Sequence, residues 1–436
     1  MFTSERSAAP VRPWALAYEP DKWDSLCRTL DHAAATVPYF MARAREHGGT
    51  LPPDRFPLIS KKQFIDHEAE MLSVMVAGHR RVYEPPVATG ADALICEFTS
   101  GSTGYPMQCY KTIAERTRLA LSLHKKRAAA WPAFSLDRMF GFIHNTAFES
   151  RSYADSLGNL SDANIGRVLA YLRDELRPAV LHGNTMVFVY YADYIRRHGF
   201  ALGPWRIEFI ESVSESISPE QRRHIEEQFK TTIFNCYGCL ECYNVAYDCA
   251  QHQLHVNEHV VLEVVDPVTT EDLTASGREG EIVLTSLVNR AQPVVRYKTG
   301  DLGSITESAC ACGSRAPIVS LSGRRKLDYV KLLYTTQDPG LTICGYDIFA
   351  TVMYRLVTEG HDYVSWYNVV QQELDLFEVL YCRKAGFSDE FVTRFQRYAV
   401  EELGRSARFE FVEKDEREVL LINKKNRVFR SRLQND

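Results

Sequence analysis

The chain has 436 residues, 45% of them hydrophobic, and 51 Lys plus Arg stand against 56 Asp plus Glu for a formal charge of −5. At roughly 100 to 200 residues per domain it holds two or three domains, and its Gly 24 and Pro 18 exclude a fibrous or low-complexity protein. The near-balanced charge excludes general nucleic-acid capture, and with no apolar run of about 18 residues and no secretory start the expectation is a cytoplasmic protein with no membrane partner.

The first 75 residues read as helices and loops around Val37-Pro38-Tyr39 and around Phe56-Pro57-Leu58-Ile59-Ser60-Lys61-Lys62, with Ser60 as the cap of a following helix. Residues 94–98 form a strand candidate that runs into Thr99, Ser100, Gly101, Ser102, Thr103 and Gly104. Thr112 and Glu115 have capping-box spacing, which predicts a helix over 114–131 after a return strand. Residues 186–198, closed by Gly199, read as a helix capped by Thr185, although Val187 to Tyr190 also suits a buried strand. Strand character at 206–209, a helix opened by Ser218-Pro219 and a strand at 232–235 give a βαβ alternation and hence a largely parallel sheet. Residues 259–305 are β-rich and suggest a barrel-like subdomain. Charge density rises after Gly323-Arg324-Arg325-Lys326-Leu327-Asp328, which places a boundary there. The fold class is α/β: a large N-terminal region, 1–325, with mixed sheets and a β-rich subdomain, and a small α+β C-terminal domain, 326–436.

The loop at Thr99 to Gly104 follows a strand, where open α/β sheets keep ligands, and its glycines and hydroxyls suit phosphate. It lacks the Gly-Lys-Ser/Thr ending of a Walker loop. Tyr237-Gly238-Cys239-Leu240-Glu241, Arg296-Tyr297-Lys298-Thr299-Gly300-Asp301 and Gly323-Arg324 follow in order. The four motifs together resemble the adenylate-forming (ANL) superfamily. Val37-Pro38-Tyr39, Phe56 to Lys62, Leu254-His255-Val256 and Cys310-Ala311-Cys312-Gly313 resemble its phenylacetate-CoA ligase-like branch.

The resemblance implies that the loop Thr99 to Gly104 holds the triphosphate of ATP, that Tyr237, with Gly238 beside it, packs on adenine, and that Glu241 helps to hold Mg²⁺. It implies that Asp301 binds ribose hydroxyls and that Arg324 assists at ribose and phosphate. Asn423-Lys424-Lys425-Asn426-Arg427-Val428 is similar to the segment carrying the family's catalytic lysine, with Asn423 where glycine is usual. The offset to the Arg-Val pair favours Lys424, and Lys425 is the alternative; the bland reading is a solvated basic tail. Met107-Gln108 stands where many relatives have a lysine, and Ser212-Val213-Ser214-Glu215 where they have a glycine-richer turn. The resemblance also implies a C-terminal domain that moves, with Lys326 or Asp328 near its hinge.

Eleven cysteines dispersed from Cys27 to Cys382 predict free thiols or metal ligands rather than disulfides. Cys236, Cys239 and Cys242 have a metal-like spacing, but the run straddles Tyr237, Gly238 and Glu241, which the nucleotide needs. Cys249, His255, Cys310 and Cys312 offer three thiolates and an imidazole for tetrahedral Zn²⁺, with His252 as an alternative to His255. Members of this branch carry structural zinc at corresponding positions, so the resemblance implies it here; the bland reading is reduced surface thiols.

The implied function is ATP-dependent activation of a small-molecule carboxylic acid, aromatic by the nearest branch, as an acyl-adenylate. Coenzyme A is the first choice of acceptor, with an amine or a carrier-protein thiol as alternatives. A non-catalytic nucleotide-binding module is the reading from another class. A monomer or homodimer is expected.

Overall fold

The computed structural model describes residues 20–83, 93–99, 107–142, 162–213, 217–325, 329–330, 343–344, 349, 352–353, 355–356, 359–361, 363–403, 406–415 and 429–431. Helices α1 (Pro20–Thr36), α2 (Pro38–Glu46) and α3 (Lys61–Asp66) open the chain. Pro38 starts α2 because its missing N–H is one that a first helical turn leaves unpaired anyway. Ser60 caps α3 in a reciprocal box with Gln63, as its spacing predicts. Strands β1 (Arg80–Val82), β2 (Ala93–Phe98) and β3 (Gln108–Thr112) form a small sheet, β2 and β3 antiparallel with Phe98 opposite Gln108. The hydroxyl-rich loop is therefore the connection of a β hairpin. Helix α4 (Ile113–Ala130) leaves β3 through the Thr112–Glu115 capping box.

The next strands are β4 (Met139–Gly141), β5 (Val180–Asn184), β6 (Phe209–Val213), β7 (Thr232–Cys239), β8 (Tyr243–Asp248) and β9 (Leu254–Val256). Then come β10 (Val260–Val265), β11 (Gly280–Ser286), β12 (Tyr297–Thr306) and β13 (Ile318–Arg325). Helices α5 (Asp162–Tyr171), α6 (Thr185–His198) and α7 (Pro219–Phe229) lie between the earlier strands. The strand order is β10-β11-β12-β13-β9-β8-β7-β6-β5-β4. Pairs β4–β5, β5–β6 and β6–β7 are parallel, as the βαβ alternation predicts, but the other pairs of the sheet are antiparallel, so it is mixed rather than largely parallel: only the strands joined through helices run the same way. The β-rich stretch is present but is not a separate barrel: β13 pairs with β9, so β10 to β13 extend the same sheet in antiparallel fashion.

Two boundaries differ from the sequence reading. Residues 185–198 are helical throughout, but Asn184 is the cap residue and Thr185 is the first helical residue, its hydroxyl 2.6 Å from that of buried Ser212. Gly199, at φ 60°, ends the helix in a conformation that glycine adopts without strain. The strand expected at 206–209 begins at Phe209, because Trp205 is drawn to Pro178 by its indole N–H and the chain extends only after that anchor.

Beyond β13, strands β14 (Tyr329–Val330) and β15 (Ile343–Cys344) pair, and β16 (Val364–Gln371), β17 (Leu376–Arg383), β18 (Arg408–Glu413) and β19 (Phe429–Ser431) form a sheet in the order β18-β17-β16-β19. Helix α8 (Glu390–Leu403) sends Phe391, Phe395, Tyr398 and Leu403 into a core with Phe349, Phe377 and Phe429. This C-terminal part is α+β, and the molecule as a whole is mixed α/β. Among the described residues no helix is long and apolar enough to cross a membrane.

Candidate functional site

The hairpin β2–β3 sets the base of the phosphate-type loop. Thr99 donates its N–H to the carbonyl of Met107, and its hydroxyl accepts the Met107 N–H, both at 2.9 Å. Ser100, Gly101, Ser102, Thr103 and Gly104 lie outside the described residues.

Tyr237 and Gly238 lie near the end of β7, directly before Cys239 and past the last parallel pair of the sheet, where an open α/β sheet receives ligands. A Cβ on Gly238 would collide with the carbonyl of Tyr243, so the turn from β7 into β8 closes only with glycine there. Tyr243 takes a left-handed conformation at φ 59°, unusual for a side-chain-bearing residue. The turn carries Glu241, which is buried, with its carbonyl held at 3.0 Å by the side chain of Asn289. Burial, followed by the nearby Glu241 carboxylate, raises the Tyr297 phenol well above its ordinary range.

Asp301 reaches the same place from β12. Tyr237 donates its hydroxyl to Asp301 Oδ2 at 3.0 Å, and Asp301 donates its own N–H to the Thr299 hydroxyl at 3.1 Å. Two motifs that are 64 residues apart thus share one contact. Arg324 lies on β13, next to Arg325, which stands opposite Asp301 in the ladder; its side chain falls outside the description, as do Lys424 and Lys425.

Several groups around this site were not singled out from sequence. Lys111 on β3 is fully buried and donates to Glu97 Oε2 at 2.9 Å and to the carbonyl of Leu240 at 2.8 Å. Tyr243 donates its hydroxyl to Glu97 Oε1 at 2.7 Å, and Arg116 lies 3.4 Å from the same oxygen. Burial works against the Lys111 charge, but Cys109 and Glu97 beside it outweigh that and raise its hold on the proton. No alternation marks this lysine, since Cys109, Tyr110 and Lys111 are all buried in succession on β3. Deeper in the sheet, Arg127 forks onto Glu211, whose carboxylate also accepts the Tyr247 hydroxyl at 2.8 Å.

The predicted metal ligands converge. Cys249 follows β8, His255 sits in β9, and Cys310 and Cys312 lie between β12 and β13; their ligand atoms all fall within 4.8 Å of one another. Two thiolates on a tetrahedral zinc are about 3.8 Å apart and a thiolate and an imidazole about 3.5 Å. The Sγ atoms of Cys249 and Cys310 are 3.8 Å apart, and Cys312 Sγ is 3.3 Å from His255 Nε2. His255 Nδ1 is 2.9 Å from the carbonyl of Ala316, which fixes Nε2 as the free ligand atom. The N–H groups of Gln251 and Ser314 point at the sulfurs of Cys249 and Cys312, and the Ser314 contact holds the Cys312 thiol below its ordinary range. The set fits zinc. His252, the alternative ligand, instead faces Arg222 at 2.8 Å.

Cys236, Cys239 and Cys242 do not form such a set among the described residues. Burial pushes the Cys236 thiol well up, and for Cys239 a hydrogen bond to Cys242 and burial do the same, which keeps both as neutral thiols.

No family model matches the chain. The phenylacetate-coenzyme A ligase of Thermus thermophilus is 24% identical over 365 residues, 80% of this chain and 76% of that protein. That of Pseudomonas putida is 30% identical over 148 residues, 33% of each chain. The crystal structure of 2-hydroxyisobutyryl-CoA ligase in its postadenylation state superposes with a TM-score of 0.59 at 17% identity, covering 90% of this chain and 85% of that one. The same ligase in its thioesterification state, with 2-HIB-AMP and CoA, gives 0.56 at 17% identity, covering 99% and 95%. The chain has the adenylate-forming ligase fold. Within that fold, the Tyr237–Asp301 contact joins two of the motifs by which the sequence resembles the superfamily.

Proposed function

We propose that this protein is an AMP-forming acid ligase that activates a carboxylic acid with ATP and passes the acyl group to coenzyme A. The observation that carries the reading is the Tyr237–Asp301 contact at the carboxyl end of β7. It brings a ring face suited to adenine and a carboxylate suited to ribose hydroxyls to one point. The sequence relatives named as phenylacetate-coenzyme A ligases support the same reading.

In this reading the loop Thr99 to Gly104 receives the triphosphate through backbone N–H groups and hydroxyls. Tyr237 and Gly238 take the base, Asp301 the ribose, and Arg324 the ribose and α-phosphate. The acid's carboxylate attacks the α-phosphorus, its oxygen forms the new P–O bond, and pyrophosphate leaves. Lys424, or its neighbour Lys425, neutralises the charge that builds up as the two anions meet. The thiol sulfur of coenzyme A then attacks the acyl carbon, loses its proton and expels AMP, so one hard condensation becomes two accessible steps. Residues 1–325 form the adenylating part and 326–436 the mobile part that carries the lysine.

A buried carboxylate beside phosphate oxygens suits a hard cation, so Glu241 would hold Mg²⁺, which supplies charge neutralisation at the phosphates. Cys249, His255, Cys310 and Cys312 would hold Zn²⁺ as a structural ion, apart from these steps. The acid is aromatic in this reading, after the relatives.

The test is acid-dependent pyrophosphate release from Mg²⁺-ATP over aromatic, arylacetic, aliphatic and amino acids, followed by mass analysis of products with coenzyme A. Release with one acid class and a thioester product are expected. An amide or an acylated carrier protein in place of the thioester would move the acceptor, and silence from folded, zinc-loaded protein would overturn the reading.

A further inference from the structure

The groups around Glu97 form a closed cluster of charge between the two nucleotide motifs. Glu97 lies near the end of β2, two residues before Thr99, and Leu240 lies in the turn directly before Glu241. The Lys111 ammonium touches both, at 2.9 Å from the Glu97 carboxylate and 2.8 Å from the Leu240 carbonyl. Tyr243, at the far side of the turn, donates to the other Glu97 oxygen at 2.7 Å, and Arg116 from α4 donates to the Tyr243 hydroxyl at 3.2 Å. One carboxylate therefore ties the base of the phosphate-type loop to both flanks of the turn that carries Glu241.

Stability alone is a weak account of this cluster. A buried ion pair costs the hydration of both its charges, and a well-packed apolar pair in place of both partners is often as stable or more so. What an apolar residue does not supply is direction: two charge-assisted bonds fix the distance between a strand end and a carbonyl. The turn also needs holding, because Tyr243 sits at φ 59°, and such a conformation persists where the surroundings over-determine it.

We propose that Lys111 is a positioning residue that, through Glu97 and the Leu240 carbonyl, locks the end of β2 and the Glu241 turn into one arrangement for the nucleotide. The idea rests on the ligase reading for its catalytic consequence, while its structural consequence is measurable without turnover. In Lys111→Met the ammonium is lost and the length of the side chain is nearly kept. In Tyr243→Phe only the hydroxyl that reaches Glu97 is removed.

Hydrogen–deuterium exchange of the folded, full-length variants should rise at least severalfold in residues 93–99 and 237–243 and stay at the wild-type rate in β10 and β11. The pyrophosphate exchange rate at saturating substrates should fall by about tenfold to a hundredfold, the scale of a misaligned reacting pair, with the KM for the acid little changed. Wild-type protection of the turn in Lys111→Met, or wild-type kcat, overturns the proposal; if Lys111→Met does not fold, the same two readouts on Tyr243→Phe decide it. A wild-type protein without any pyrophosphate exchange, whose turn still loosens in the variants, would overturn the ligase reading and leave the lock itself standing.

Discussion

Arg296 stands in the motif that ends at Asp301, yet its guanidinium faces away from any nucleotide role. It forks onto buried Glu263 at 2.8 and 3.2 Å and donates to the carbonyl of Phe56 at 2.8 Å, while Ile59 and Arg296 bond through their backbones. The motif arginine thus fastens the Phe56 to Lys62 segment to the start of β12. Its partner has a measurable signature. Burial raises the Glu263 carboxyl from 4.5 to about 7, against the pull of Arg296. The folded chain therefore holds this proton more tightly than the unfolded chain between those values, so the contribution of Glu263 to stability falls as pH rises from about 4.5 to about 7. The change across that window is on the order of 3 kcal/mol. Denaturant unfolding of wild type and Glu263→Gln at pH 5 and pH 8 should show the wild type losing about that much relative to the variant at the higher pH. An equal difference at both values would remove Glu263 as the titrating group. In the sequence the Arg296 motif was legible as a motif, but its division of labour was not, because Glu263 and Phe56 are distant in the chain and only the folded register brings them to it.

At the scale of elements, the metal knuckle shows what spacing fixes and what it leaves open. Cys310-Ala311-Cys312-Gly313 is a local turn, with Gly313 at φ 85°, and its shape is set by residues in sequence contact. The choice between His252 and His255 is not local. It follows from the pairing of β9 with β13, where His255 stands opposite Ile318, and from Arg222 and Glu226 on α7 drawing His252 away. Helix starts were equally legible, since Ser60, Thr112 and Ser218 each cap through the third residue on. The start of β6 was less so, because it depends on a tertiary anchor at Trp205. The four ligands join the turn after β8 and strand β9 to the β12–β13 connection, so metal loss should loosen the same sheet that presents Asp301. Metal analysis should find one zinc per chain in the wild type. Cys310→Ser should lose it and melt roughly 5–10 °C lower, whereas Cys242→Ser should keep the full zinc content. Zinc retained by Cys310→Ser at the wild-type stoichiometry would refute the assignment.

Over the whole molecule, the mixed sheets and the C-terminal α+β part have separate apolar cores: Leu181, Phe188 and Ile210 belong to one cluster and Phe349, Phe395 and Phe429 to another. That separation is the physical reason the overall architecture was readable from pattern and charge, since each core follows from its own local periodicity. The order of strands in the long sheet was not readable, because β10 to β13 join it through β9 by pairings that no short-range signal encodes. The proposed function, with its lysine on a part that has its own core, has a specific consequence for kinetics. If residues 326–436 deliver it only for adenylation, removing the ammonium should stop the first half-reaction and spare the second. Lys424→Ala should lower acid-dependent pyrophosphate exchange by roughly a hundredfold to a thousandfold, the scale for removing one charge-stabilising group from a transition state. It should still form the coenzyme A thioester from a supplied acyl-adenylate at close to the wild-type rate. Lys425→Ala should leave both steps near wild type, and the reverse pattern would transfer the role to Lys425. Full pyrophosphate exchange in both variants would remove the segment from the chemistry, and equal loss of both half-reactions would show that the lysine serves binding rather than the adenylation transition state.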